Sequence, residues 1–183
     1  TNSGTISGTA GDDNGYGVFV SSNATLTNLT NSGTISGTAV DADGSGVIVQ
    51  KTSTLTNLTN SGTISGTAGD DGYGAFVRTS TLTNLTNSGT ISGTATNNNG
   101  LGVNVDSSTL TTLTNTGTIS ANAVNVALGL YVVGSTLTTL TNSGTISGTA
   151  NNSNGVGVLV DDGSTFTNLT NSGTISGTAG DDG

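Results

Sequence analysis

Asn2-Ser3-Gly4-Thr5-Ile6-Ser7 is the stretch that decides the fold. The same six residues return at Asn31, Asn60, Asn87, Asn142 and Asn171, and a variant with Thr116 for the serine starts at Asn115. Copies stand 27 to 29 residues apart along all 183 residues. A fixed period of this length is the mark of a repeat architecture, in which each unit buries its apolar face only against its neighbours.

Each period holds three short apolar segments. In Gly4-Thr5-Ile6-Ser7-Gly8-Thr9-Ala10 the large apolar residue is Ile6, repeated as Ile35, Ile64, Ile91, Ile119, Ile146 and Ile175. Alternation puts Ile6 on one face and Thr5, Ser7 and Thr9 on the other, the periodicity of a strand. The second segment, Tyr16-Gly17-Val18-Phe19-Val20, sets Val18 and Val20 on one face. The third, Thr25-Leu26-Thr27-Asn28-Leu29-Thr30, has leucines three apart, so a bend is expected at Asn28. Three strands per repeat, with neither a helical period nor proline, predict an all-β, three-sided parallel β-solenoid. Residues 1–183 read as one continuous solenoid of six full coils and a partial one, cut as a window from a longer array.

Stacking sets like residue on like. The asparagines Asn2, Asn31, Asn60, Asn87, Asn115, Asn142 and Asn171 are expected to form an amide ladder at one corner. The glycine after each Asn-Ser is expected to need a backbone conformation closed to residues with a Cβ. Length varies around Gly11–Asn14 and Ser21–Ala24, whereas Leu-to-Ile spacing across the remaining corner is constant.

Composition narrows the function. A net charge of −9, with only Lys51 and Arg78 as cations, opposes contact with nucleic-acid phosphate. No apolar run is long enough for a membrane-spanning helix. Without His, Cys or Glu, the usual general bases and nucleophile pairs cannot be assembled, so the chain does not read as an enzyme.

Repeats of the form T-L-T-N-L-T-N-S-G-T-I-S-G followed by G-x-G-V-x-V resemble passenger domains of bacterial autotransporters and related β-helical surface adhesins. The resemblance covers the whole chain. It implies a right-handed β-helix, export to the bacterial cell surface, and a scaffold or adhesive role.

Four features are candidate sites. Phe19, Ile48, Phe76, Asn104, Tyr131 and Leu159 occupy the outward position of the second strand, and five of these six are large and apolar. Such a stripe reads as an interface, here Phe19, Ile48, Phe76, Tyr131 and Leu159 against a copy of the chain or another solenoid segment. Asp12, Asp13, Asp41, Asp43, Asp70 and Asp71 fall in one loop of three successive coils, with Asp181 and Asp182 repeating the pattern. Oxygen-only loops suit Ca²⁺, yet they match no calcium-loop motif and coils four to six substitute asparagine, so solvated turns are the better reading and no cofactor is expected. The Thr5, Ser7 and Thr9 face is regular enough to suggest ice binding, although strand propensity alone explains it. Arg78 is placed to pair with Asp106 one coil on. The leading expectation is a structural extracellular repeat of a fibre, stalk or sheath. Alternatives are an adhesin that binds surface glycans through its loops, and an ice-binding solenoid.

Overall fold

The computed structural model describes residues 1–180. Among these, nineteen strands and no helix are present, arranged as three parallel sheets of seven, six and six strands. The first coil shows the plan: Thr5–Ala10 enters an Ile sheet, Gly15–Val20 a Val sheet, and Thr25–Asn31 a Leu sheet. Each strand pairs with its equivalent one coil away, Ile6 with Ile35, Val18 with Val47, and Leu26 with Leu55. The molecule is a three-sided β-solenoid. Coils 1 to 6 are numbered below from Asn2, Asn31, Asn60, Asn87, Asn115 and Asn142.

Inside runs a single core of stacked aliphatics, with Ile35, Ile64, Ile91, Ile119 and Ile146 fully buried beside Leu55, Leu82, Leu110 and Leu137. Burial of each such side chain favours folding by about 1.5–3 kcal/mol relative to exposure. Ile6 and Ile175, on the outermost rungs, are less covered.

The irregular leucine spacing has its expected consequence. Pairing between Thr25–Asn31 and Thr54–Asn60 matches Leu26 with Leu55 and Asn28 with Asn57 but leaves out Thr27. Two successive residues therefore face outward, and the strand bends so that Leu26 and Leu29 both point into the core. The Val sheet makes the reverse bend: Gly17 is left out of its ladder, so Gly17 and Val18 both face inward.

Crowding selects the glycines. A Cβ on Gly66 would lie 2.0 Å from the Tyr73 carbonyl oxygen, because the Ile and Val sheets converge there backbone to backbone. The motif glycine Gly33 differs from expectation. Its φ is not left-handed; a Cβ would instead lie 2.0 Å from the Gly4 carbonyl oxygen one coil back.

Left-handed residues occupy the other variable corner. The longer Val-to-Leu corners carry two of them, as at Lys51 (φ 54°) and Thr52 (φ 57°), while the shorter ones carry one, as at Thr79 (φ 47°). Both variable corners are short in coil 3 and both long in coil 2, which accounts for separations of 27 residues from Asn60 to Asn87 and 29 from Asn31 to Asn60.

Candidate binding groove on the Val sheet

Polar columns run the length of the rod and frame the candidate site. The asparagine ladder forms: each Nδ2 donates to the Oδ1 of the next coil, from Asn2–Asn31 at 2.8 Å to Asn142–Asn171 at 2.7 Å. Asn31, Asn60, Asn87, Asn115 and Asn142 have no exposed surface, and each Nδ2 also reaches two backbone carbonyls, Gly62 and Thr90 for Asn60.

A second ladder was not anticipated. At the Val-to-Leu corner the amides of Ala24, Ser53, Ser80, Ser108 and Ser135 donate to the hydroxyls of Ser53, Ser80, Ser108, Ser135 and Ser164 respectively. This column satisfies backbone groups that the left-handed corner leaves outside the strand ladders.

A third column explains the acidic loops. The Asp43 amide donates to Asn14 Oδ1 at 3.0 Å, the Asp71 amide to Asp43 Oδ1 at 3.3 Å, and the Asn99 amide to Asp71 Oδ1 at 3.0 Å. Asp70 Oδ1 accepts from Asn98 Nδ2. Asp12, Asp13 and Asp41 are exposed. Among the described residues no three carboxylates come together as a metal site. Asp181 and Asp182 lie outside the described residues. Burial raises the Asp43 pKa above the ordinary carboxylate value; the Asp71 amide opposes this, and the Asp71 and Asp70 charges add to it.

The outward stripe is two columns wide. Because Gly17 breaks the alternation, Tyr16 and Phe19 face the same side, and their rings stack with centroids 4.9 Å apart. Tyr73 and Phe76 stack likewise at 4.4 Å. Tyr16, Ser45, Tyr73, Leu101, Leu128 and Val156 thus form a column beside Phe19, Ile48, Phe76, Asn104, Tyr131 and Leu159. The expected solvent-facing stripe needs correction at its centre. Ile48 is 4% and Phe76 8% exposed, since the two columns converge over the bend and cover one another in a second apolar cluster, separate from the core. Phe19 is 48% exposed on the first coil, and Tyr131 and Leu159 are half-buried.

One break in this stripe leaves a groove. Asn104 stands where coils 1 and 3 have Phe19 and Phe76, and Val126 stands where coils 1 to 4 have the polar loop residues Asn14, Asp43, Asp71 and Asn99. Around these two substitutions opens a hollow of about 310 Å³ lined by Asp71, Tyr73, Asn99, Leu101, Asn104, Val126, Leu128, Tyr131 and Leu159.

The lining is mostly apolar with few polar groups. Tyr73 donates its hydroxyl to Asp71 Oδ2 at 2.9 Å; burial and the Asp71 charge raise its pKa strongly. Burial raises the Tyr131 pKa too, followed by the charges of Asp161, Asp162 and Asp106. Asn104 is 6% exposed, and its Oδ1 has no hydrogen-bond partner. Ser45 Oγ, in the adjoining column, is the other buried side-chain atom left unpaired among the described residues.

Comparison with protein-family models, curated proteins and solved structures found no match. Outside the groove, Arg78 Nε lies 3.6 Å from Asp106 Oδ2 as the repeat predicts. The Thr, Ser, Thr ranks stack in register on the outward face of the Ile sheet, Thr34 on Thr63 and Ser36 on Ser65.

Proposed function

We propose that this chain is a structural extracellular repeat, a rigid segment of a bacterial surface fibre, stalk or sheath. The observation that carries the reading is the buried asparagine column, which continues through every coil and locks each to the next. Such a column specifies axial register, the property a load-carrying rod requires, because a coil slipped by one residue would place the amide against threonine or serine. Similarity of the repeat to autotransporter passenger-like surface proteins belongs to the same reading. Lateral association would use Phe19, Tyr131, Leu159 and the rims of the stripe, since Ile48 and Phe76 have spent most of their area within the rod.

Immunogold labelling of intact source cells, combined with electron microscopy of the native material, tests this. Decorated surface filaments with a ~4.8 Å axial repeat are expected. Label confined to the cell interior, with no filament, would overturn it.

A further inference from the structure

We propose that two copies of this chain pair side by side through their Val sheets, each coil facing the same coil of its partner, about a two-fold axis parallel to the rod. The pairing rests on the lateral association proposed above and gives it a partner and a geometry.

Two outer columns flank the apolar pair on this sheet. Asn14, Asp43, Asp71, Asn99, Val126 and Asn154 form a leading column just before the six strands. Ser21, Gln50, Arg78, Asp106, Val133 and Asp161 form a trailing column at their far ends. Both lie on the outward face. Asn14 and Asp71 bond the hydroxyls of Tyr16 and Tyr73 there, and alternation from Phe76 through buried Val77 turns Arg78 outward. Seven residues separate the two positions on every strand, a span of more than about 20 Å, so the columns do not touch within one copy.

A two-fold axis along the rod reverses strand direction and keeps the coil, which sets the leading column on the partner's trailing one. Every rung then matches in kind. Asp71 meets the partner's Arg78, and Asp43 the partner's Gln50, next to Lys51. Asn99 and Asn154 bring amide donors to the partner's Asp106 and Asp161, and Asn14 meets the partner's Ser21. Val126, the apolar member of its column, meets the partner's Val133, the apolar member of the other. No carboxylate opposes a carboxylate, a requirement for pairing chains of net charge −9 each. Other arrangements lose this match. Reversing one rod lays Asp43 on Val126 and Gln50 on Val133, and sliding one copy by a coil lays Val126 on Asp161 or Asp106. Arg78 is 59% exposed and meets Asp106 through Nε, which leaves its Nη groups for the partner's Asp71. Phe19, the exposed aromatic of the face, lands on the partner's Tyr16. Six strands about 4.8 Å apart and eight residues of about 3.3 Å give roughly 700 Å² per copy, against ~800 Å² per partner in a standard interface.

The chain has no cysteine, so introduced ones report the geometry directly. Sedimentation velocity of the whole chain is expected to show a species of twice the chain mass. Arg78→Ala removes two symmetric contacts and should raise the dissociation constant about tenfold, with circular dichroism unchanged. Under mild oxidation a mixture of Val126→Cys and Val133→Cys should give a covalent dimer. Either variant alone should not, because like positions then lie more than about 20 Å apart. A chain that stays monomeric at every concentration, self-linkage of either single variant, or linkage of Gln50→Cys with Val133→Cys in place of the expected pair would each overturn the proposal. So would a dimer that Arg78→Ala leaves equally tight, which decides the matter should the cysteine variants fail to fold. None of these outcomes bears on immunogold labelling of surface filaments, so the two readings fail separately.

Discussion

Asn57 and Asn60 lie three residues apart on one strand and both belong to amide ladders, so their replacement separates hydrogen-bond geometry from burial. Asn57 donates to Asn28 Oδ1 at 2.9 Å on the partly exposed outer face. Asn60 donates to Asn87 Oδ1 at 2.8 Å in the closed interior. Asn60→Ala leaves Asn87 Oδ1 without its ladder donor and vacates a buried amide. An orphaned buried polar group costs about 1–3 kcal/mol, and with the lost packing the total comes to about 2–4 kcal/mol. Water replaces the partner at the outer ladder, so Asn57→Ala should cost under about 1 kcal/mol. In a rod whose coils touch only their neighbours, damage stays local and whole-chain melting underreports it. Native-state hydrogen exchange at the Ser61 and Ser88 amides, which bond to Asn31 and Asn60 carbonyls, is the suitable assay. Equal losses for the two variants would refute the claim that burial gives the inner ladder its weight.

Gly74→Ala should destabilise by about 3 kcal/mol or more in thermal unfolding, because its Cβ would lie 2.5 Å from Gly102 O and 2.6 Å from Ile91 Cγ2, whereas Gly11→Ala, with nothing within 4 Å, should change it by under about 0.5 kcal/mol. Asp43, its pKa raised by burial, binds its proton more tightly folded than unfolded. Stability is therefore lost as pH rises from the unfolded value through the folded one, and the loss persists above it. Asp43→Asn keeps an acceptor for the Asp71 amide, so urea unfolding should find it more stable than the parent at pH 7 and little changed near pH 3. Arg78→Ala should cost under about 1 kcal/mol by urea titration, and less still in high salt, since its pair with Asp106 is 59% and 32% exposed.

Much of the fold was legible because repetition turns weak local signals into columns. Ile6 alone says little; Ile at the same register in seven copies fixes a core line, and Leu26 with Leu29 fixes a bend. The asparagine ladder and the Arg78–Asp106 pair followed from period alone. The serine ladder did not. Ser53, Ser80 and Ser108 each stand seven residues before a ladder asparagine, in constant register, but serine beside a turn is ordinary chemistry and gives no sign that its hydroxyl accepts from the preceding coil. The groove was half legible. Asn104 stood out as the polar member of its column, but the column of Tyr16, Tyr73 and Leu101 was hidden by carrying strict alternation through Gly17. The three-residue leucine spacing of the same repeat could have exposed it, because Tyr16 and Phe19 show the same interval on the opposite face. Alternation assigns a face, and says nothing of how far neighbouring columns cover one another; hence Phe76 at 8% exposure.

Apolar stacking alone would not define this rod. Ile on Ile and Val on Val are non-directional contacts that tolerate a small slip along the strand, whereas a hydrogen bond does not. Each polar column removes that freedom in a different place: asparagine at the Leu-to-Ile corner, serine at the Val-to-Leu corner, and the Asn14, Asp43 and Asp71 oxygens at the Ile-to-Val corner. Each of the three corners is therefore pinned by side chains hydrogen-bonded to a neighbouring coil. The third column is interrupted at Val126, and the aromatic stripe at Asn104. These departures exchange polarity, apolar entering the loop column and polar entering the apolar one, and both line the same hollow. That coincidence accounts for where the hollow opens, and Val126→Asn offers a direct check of the cause of the break. It would supply an acceptor to the coil 6 loop, so hydrogen exchange at the Asn154 amide should slow if the column can be continued, and stay unchanged if the break has a structural cause.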